Sequence, residues 1–416
     1  MTPDDAVAAK GGDKMANQRR GREALSKEVE RLRRNAAERF PLGSQWNEAG
    51  DVVEYLYHKH QLVCDERDLD DVLAAFDQIS AERPSVSGGP VGLAVLDLGD
   101  RDAADTIADL AGRLDSGVVS LNHVLDAQAF PNMCPATEPT AHAGPVADLG
   151  EPFGSGKPQV AVIDTGYLDS IARDSGYARF SAINQRSEAD DAVYQGTTIL
   201  PYGGHGTASA ARLLAVAGTS VDVHVSDCLV GGAVTELTIV EDLERVMTNG
   251  AVVVSIQAGL YTQTGSSSKA FDAFYRRILR HHPETVLVVA AGNQATDRPF
   301  WPAAYDWCTA VGALTHGGDA RTGWTNYGYW VDVYASGEDI VVPFPNGTYE
   351  YLDTTTAQFT QGHALWSGTS FAAPTVAGMI ARRMIERNVD APNARDIVLA
   401  DAAVAALPTT GPRVLV

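Results

Sequence analysis

Cysteine is scarce in this chain: four residues among 416 (Cys64, Cys134, Cys228 and Cys308), scattered and without a Cys-x-x-Cys pair. That usage fits a reduced interior rather than a disulfide framework. Positive charge is short too. Thirty-two Lys and Arg face 53 Asp and Glu, a formal net charge of −21, which argues against nucleic-acid binding as the main activity. What basic charge there is gathers early (Arg19, Arg20, Arg22, Arg31, Arg33, Arg34), so the body of the chain is more acidic than the total. Also missing is any uninterrupted apolar run of the ~18–20 residues that crossing a bilayer requires. The start, Met1-Thr2-Pro3-Asp4-Asp5, has no apolar stretch of the secretory kind before Leu25. No membrane partner is therefore expected, and a cytoplasmic location is.

The length has room for two or three domains at roughly 100–200 residues each. Residues 1–23 read as a disordered tail, polar and aperiodic. An N-terminal α+β domain is expected over 24–130. It opens with an amphipathic helix from Ala24 to about Phe40, in which Leu25, Val29, Leu32 and Ala36 recur at helical steps. That thin apolar stripe suits docking on the chain itself or on a partner better than on a membrane. Val52–Tyr57 reads as a strand or a short helix, Leu69–Ile79 as a helix and Val91–Leu98 as a strand. Ala103–Leu114 reads as a helix and Val118–Leu125 as a second strand. Residues 131–158, rich in Pro, Gly, Ala and Thr, read as a surface linker. From 159 to 400 short β-branched runs (Val160–Ile163, Val221–Val225, Val252–Ile256, Val286–Ala290, Ala310–Ala313) alternate with helical stretches such as Thr235–Thr248 and Lys269–His281. That alternation predicts an α/β fold, a doubly wound parallel sheet covered on both faces. Residues 401–416 read as a tail.

Three strings carry the chemistry: Val160-Ala161-Val162-Ile163-Asp164-Thr165-Gly166, Gly203-Gly204-His205-Gly206-Thr207 and Ser367-Gly368-Thr369-Ser370-Phe371-Ala372-Ala373-Pro374. A serine hydroxyl is a weak nucleophile near neutral pH; a histidine must take its proton and a buried carboxylate must hold that histidine in the right tautomer. Asp164 ends an apolar strand, where open α/β sheets place ligand groups. His205 sits among glycines at the start of an Ala-rich helix, Ala208–Val216. Ser370 heads a helix reaching about Arg387, where unpaired N–H groups favour developing negative charge; Pro374 is expected in its first turn, where it costs no hydrogen bond. The His58/His60 pair is too small a set for a metal and reads as solvent-exposed.

Together these strings, in the order Asp, His, Ser, resemble the subtilisin-like (S8, subtilase) serine peptidases, over about residues 155–390. The resemblance implies a subtilisin-like catalytic domain and a peptide or protein substrate. The N-terminal strand-helix-strand ending in Ser120-Leu121-Asn122-His123-Val124 looks like the close of a smaller propeptide domain lying in the active-site cleft, with an unrelated α+β accessory domain as the alternative. It implies catalytic roles for Asp164, His205 and Ser370, and an oxyanion role for Asn293 in Ala290-Ala291-Gly292-Asn293. It also implies a peptide-pairing strand edge at Ser255-Ile256-Gln257-Ala258-Gly259, with Ala290, Ala291 and Gly292 lining the other side of the primary pocket. Gln257 and Ala258 depart from the Ser-Leu-Gly usual there, and Ala208 stands in the region where many members carry a second histidine. Self-processing would cut in or near Phe130–Pro158. Calcium is common in the family, but the acidic loop Glu188-Ala189-Asp190-Asp191 lacks an ordered ligand spacing, so no metal or other cofactor is expected.

The expected activity is that of a serine endopeptidase. A peptide ligase or cyclase shares the same acyl-enzyme and stays open at this stage, as does an inactive peptide-binding scaffold. His205 disfavours the related sedolisins, which carry glutamate in its place.

Overall fold

A computed structural model of the chain describes residues 23, 25–79, 82–126, 136–144, 157–183 and 193–415. Of the expected tail at 1–23, all but residue 23, which is helical, therefore lies outside the described residues, as do Cys134 and the acidic loop 188–191.

The first helix, α1 (residues 25–36), buries Leu25, Val29, Leu32 and Ala36 on one stripe, the spacing of a 3.6-residue period. It docks on its own chain, against Phe40, Leu42, Val53, Leu56 and Val124, and also against Tyr202 and Ala233 far along the sequence. There follow β1 (Leu42–Trp46), β2 (Val53–Asp65), α2 (Leu69–Phe76), β3 (Ser85–Gly88), β4 (Leu93–Asp97), α3 (Ala103–Leu110) and β5 (Val119–Asp126). The segment read as strand or short helix at 52–57 is a strand of 13 residues. It carries both His58 and His60, and only one departs far from water. His58 is buried, stacked 5.9 Å from Phe40, with its Nδ1 accepting from the His60 N–H at 3.2 Å. Desolvation pulls its pKa from 6.5 down to about 4. The expectation of an exposed pair fails because the long strand turns His58 toward α1.

Next come β6 (Thr140–Ala141), β7 (Gln159–Ile163), α4 (Asp169–Ser175), β8 (Tyr194–Gln195), β9 (Thr198–Ile199), α5 (His205–Ala217), β10 (Asp222–Ser226), β11 (Ala233–Thr235), α6 (Glu236–Thr248), β12 (Val253–Ile256), α7 (Lys269–Arg277), β13 (Val286–Ala290), β14 (Cys308–Leu314), β15 (Val333–Ser336), β16 (Ile340–Pro343), β17 (Gly347–Glu350), β18 (Thr356–Phe359), β19 (His363–Trp366), α8 (Thr369–Arg387), α9 (Ala391–Val404) and β20 (Arg413–Val414). Seven strands form one parallel sheet in the order β10-β7-β12-β13-β14-β15-β20. Successive residues alternate faces. Val160 and Val162 pack with α5, α8 and α9. Ala161 and Ile163 join the core that also holds α6, α7 and the N-terminal sheet. That shared core makes the N-terminal sheet a third layer over α6 and α7, and β5 pairs antiparallel with β11 (Leu125 with Val234, Asp126 with Ala233).

Two stretches differ from expectation. Residues 401–416, read as a tail, finish α9 and add β20 beside β15; two strand residues are too few for a periodicity signal. Within the expected linker, β6 pairs with β19, and Trp366 Nε1 donates to the Thr137 carbonyl at 2.8 Å. Cys64, Cys228 and Cys308 are free thiols. Among the described residues no helix is long and apolar enough to cross a membrane.

Candidate active site

Parallel strands deliver their carboxyl ends to one rim of the sheet, and three neighbours, β7, β12 and β13, run there into Asp164, Gln257 and the Ala291-Gly292-Asn293 turn. Asp164 and His205 are both fully buried, and Asp164 Oδ1 lies 2.6 Å from His205 Nδ1 while also accepting from the Thr165 N–H at 2.7 Å. A carboxylate only accepts, so Nδ1 carries a proton, and the neutral ring in this tautomer has its lone pair on Nε2. His205 Nε2 is buried and has no hydrogen-bond partner among the described residues. Its surroundings are dry: the Trp366 ring stands edge-on at 5.4 Å and Phe371 lies at 5.7 Å.

The sequence brings the His205 helix onto the Asp164 loop through small residues. The Gly206 N–H donates to Thr165 Oγ1 at 2.9 Å, and Thr207 Oγ1 accepts from the Leu168 N–H at 3.0 Å. A Cβ on Gly206 would stand 2.2 Å from the Gly166 carbonyl oxygen, so this position tolerates no side chain at all.

Ser370, 1 % exposed, is the second residue of α8. Contacts between α5 and α8 run in step: Ser209 Oγ to the Ser370 carbonyl (3.4 Å), Arg212 Nε to Thr375 Oγ1 (2.8 Å), and Gly378 against the Leu213 carbonyl. The two helices therefore lie side by side in the same sense, with His205 and Ser370 at their neighbouring heads. Pro374 is the sixth helical residue, past the first turn where it was expected. The carbonyl its missing N–H leaves free is that of Ser370, which accepts instead from Ser209.

Asn293 is held by Thr369. Its Oδ1 accepts from both the Thr369 N–H (3.0 Å) and Thr369 Oγ1 (2.9 Å), while Thr369 Oγ1 accepts from the Gly292 N–H (3.1 Å). An N–H facing the amide settles which end is oxygen. Nδ2 is thereby left buried and, among the described residues, without a partner: two donors are aimed away from Thr369 in a desolvated site.

The expected peptide edge is narrower than the string suggested. Ser255 and Ile256 lie inside β12, laddered to β7 on one side and β13 on the other, and the Gln257 N–H donates to the Ile163 carbonyl at 3.3 Å. Central strands have no free edge, so those residues cannot pair with a peptide. Past the sheet, Gly259 is paired antiparallel with Asp126 of β5. Ala290, Ala291 and Gly292 spend backbone groups on Val311, Asn326 and Thr369. The facing segment, β11, was not singled out from sequence; its signal was the Gly231-Gly232 pair before it, both at positive φ. Thr369 and Asn326 were also missed, because a hydrogen bond between distant loops leaves no local pattern. No group of three or more His, Cys, Asp and Glu is arranged for a metal among the described residues.

Against known proteins, residues 155–407 match the profile described as the subtilase family. The chain is 28% identical over 230 residues to the thermophilic serine proteinase of Bacillus sp. (strain AK1), covering 55% of this chain and 52% of that one. It is 30% identical over 186 residues to thermitase of Thermoactinomyces vulgaris, covering 42% and 59%. It thus spans little more than half the length of these curated relatives. The crystal structure of fervidolysin from Fervidobacterium pennivorans, a keratinolytic enzyme related to subtilisin, covers 86% of this chain and 60% of its own, with a TM-score of 0.58 at 17% identity. That likeness is one of fold.

Proposed function

Because this chain belongs to the subtilase family, we propose that it is a serine endopeptidase in which Asp164, His205 and Ser370 act as the triad. The observation that carries the reading is the 2.6 Å contact of Asp164 with His205 Nδ1, with a buried, partnerless Nε2 beside the head of the Ser370 helix. His205 takes the proton from Ser370 Oγ as that oxygen attacks the scissile carbonyl carbon. Asn293 Nδ2 and the Ser370 N–H receive the oxyanion. The imidazolium then gives its proton to the leaving amine, and water repeats the cycle to release the acyl group.

The N-terminal layer acts as an internal inhibitor lying where a peptide substrate pairs. Supporting this are β5 between β11 and Gly259 and a hydrophobic core continuous with α6 and α7. Self-cleavage falls beyond Asp126, in the stretch whose ends are anchored beside the site, Asp126 at Gly259 and Thr137 at Trp366.

The test is a fluorophosphonate probe with product masses from an added peptide. Labelling of wild type that Ser370→Ala abolishes, with hydrolysed products, supports the proposal. A folded, processed wild type that takes no label favours a binding scaffold, and ligated products favour a ligase.

A further inference from the structure

We infer that Asn326, in the loop between β14 and β15, is the residue that positions the turn carrying Asn293; this rests on the oxyanion role proposed for Asn293. The turn leaves β13 into irregular backbone with Gly292 at φ 96° and Ala295 at φ 53°. Left-handed backbone at a non-glycine residue persists only where its surroundings hold it, and irregular buried backbone must find partners for its polar groups.

Asn326 supplies most of those partners. It is fully buried. Its N–H donates to the Gly292 carbonyl at 2.9 Å, and its Nδ2 donates to the Ala291 carbonyl at 2.8 Å and to the Tyr261 hydroxyl at 3.2 Å. Its Oδ1 accepts from the Gln294 N–H at 2.9 Å and the Thr296 N–H at 3.3 Å. Gly292 and Gln294, the residues immediately before and after Asn293, are thus both tied to one residue, the first through its backbone N–H and the second, together with Ala291, through its side chain. Two donors and two acceptor directions are used at once, which is the full capacity of a primary amide. Aspartate would place an acceptor against the Ala291 carbonyl, and an aliphatic residue would take this partner from three backbone groups, the Ala291 carbonyl and the Gln294 and Thr296 N–H groups. The Tyr261 hydroxyl extends the brace by donating to Gln294 Oε1. Thr369 therefore fixes the rotation of the Asn293 amide, and Asn326 fixes where its backbone sits. Asn326 touches no reacting atom and acts through Asn293.

A double-mutant cycle on the enzyme purified after expression of the full chain, assayed with a chromogenic peptide, separates positioning from general support. Asn326→Ala is expected to lower kcat by roughly 10–100-fold, below the ~10²–10³ ceiling for losing a whole oxyanion donor, with KM within about twofold. In the Asn293→Ala background the same change is expected to cost less than about threefold, because the group it positions is already gone. Equal losses in the two backgrounds, or a loss confined to KM, overturn the inference alone. An unimpaired kcat in Asn293→Ala overturns the oxyanion reading and the inference with it. Should Asn326→Ala fail to fold, Tyr261→Phe removes one hydroxyl of the brace and keeps the ring. It is expected to lower kcat roughly two- to fivefold with the same non-additivity; additivity there overturns the inference equally.

Discussion

Asp126 exchanges both of its backbone hydrogen bonds with Gly259, its N–H donating at 3.1 Å and its carbonyl accepting at 3.2 Å. In the inhibitory role proposed for it, the last strand of the N-terminal sheet would thereby use the backbone groups through which an extended peptide adds to this edge, the β-augmentation mode of recognition. Asp126→Pro deletes one of the two bonds while Leu125 keeps a backbone region compatible with a following proline. One backbone bond is worth about 0.5–1.5 kcal/mol net. The expected outcome is faster fluorophosphonate labelling of the unprocessed chain, by a few-fold to about tenfold. Labelling at the wild-type rate would count against inhibition through this pairing.

Thr369 gives Asn293 Oδ1 two hydrogen bonds and so leaves Nδ2 unpartnered among the described residues for the oxyanion role proposed for it. Asn293→Ala should reduce kcat roughly 10²–10³-fold with KM little changed, the size of loss that follows removal of one oxyanion-hole donor in subtilisin. Thr369→Val removes the hydroxyl that both donates to Asn293 and accepts from Gly292, and should lower kcat about tenfold. Thr369→Ser should restore most of the loss, since it keeps the hydroxyl. Steady-state kinetics on a single peptide check all three.

Gly206 sets helix propensity against packing. Alanine in a helix is favoured over glycine by roughly 1 kcal/mol, so propensity alone makes Gly206→Ala stabilising. The added Cβ, 2.2 Å from the Gly166 carbonyl oxygen, instead has to part the His205 helix from the Asp164 loop, and neither backbone can yield like a flexible side chain. The expected result is a fall in kcat/KM of more than about 100-fold, reflecting the sensitivity of such chemistry to ~1 Å displacements. Wild-type activity in the variant would show that the two segments separate freely.

His58 is expected to make the N-terminal layer acid-sensitive. Its folded pKa of about 4 lies below the unfolded 6.5, so between those values the unfolded chain binds the extra proton and stability falls as pH falls. A shift of that size amounts to at most about 3 kcal/mol. Protonating Nδ1 would also break its bond from the His60 N–H. Melting curves of the Ser370→Ala full-length chain should show a drop between pH 6.5 and 4 that flattens in His58→Gln, whose amide oxygen remains an acceptor. Parallel pH profiles for the two proteins would exclude His58 as the cause.

Much of the architecture was legible because it is written in local periodicity. Runs such as Val160–Ile163 and Val286–Ala290 are short, β-branched and buried on both faces, and each appears as a strand of the parallel sheet within a residue or two. The helix over 25–36 follows its four-residue stripe. Where patterns were weak, the reading slipped: the 13-residue β2 mixes its alternation with His58 and His60, and β20 is too short to announce itself.

The side chains proposed to do the chemistry were readable from their immediate neighbours in sequence, since Asp164, His205, Asn293 and Ser370 each sit in a string whose glycines, alanines and strand or helix ends dictate a particular local backbone. What surrounds them was decided only by folding. Ser255 and Ile256 were withdrawn from the peptide edge because β7 and β13 flank β12. Gly259 acquired Asp126 as a partner, and Asn326 came to clasp a turn more than thirty residues upstream. A strand's period or a helix's start is a property of adjacent residues, whereas the choice of hydrogen-bond partner across a loop depends on which segments the sheet order brings together.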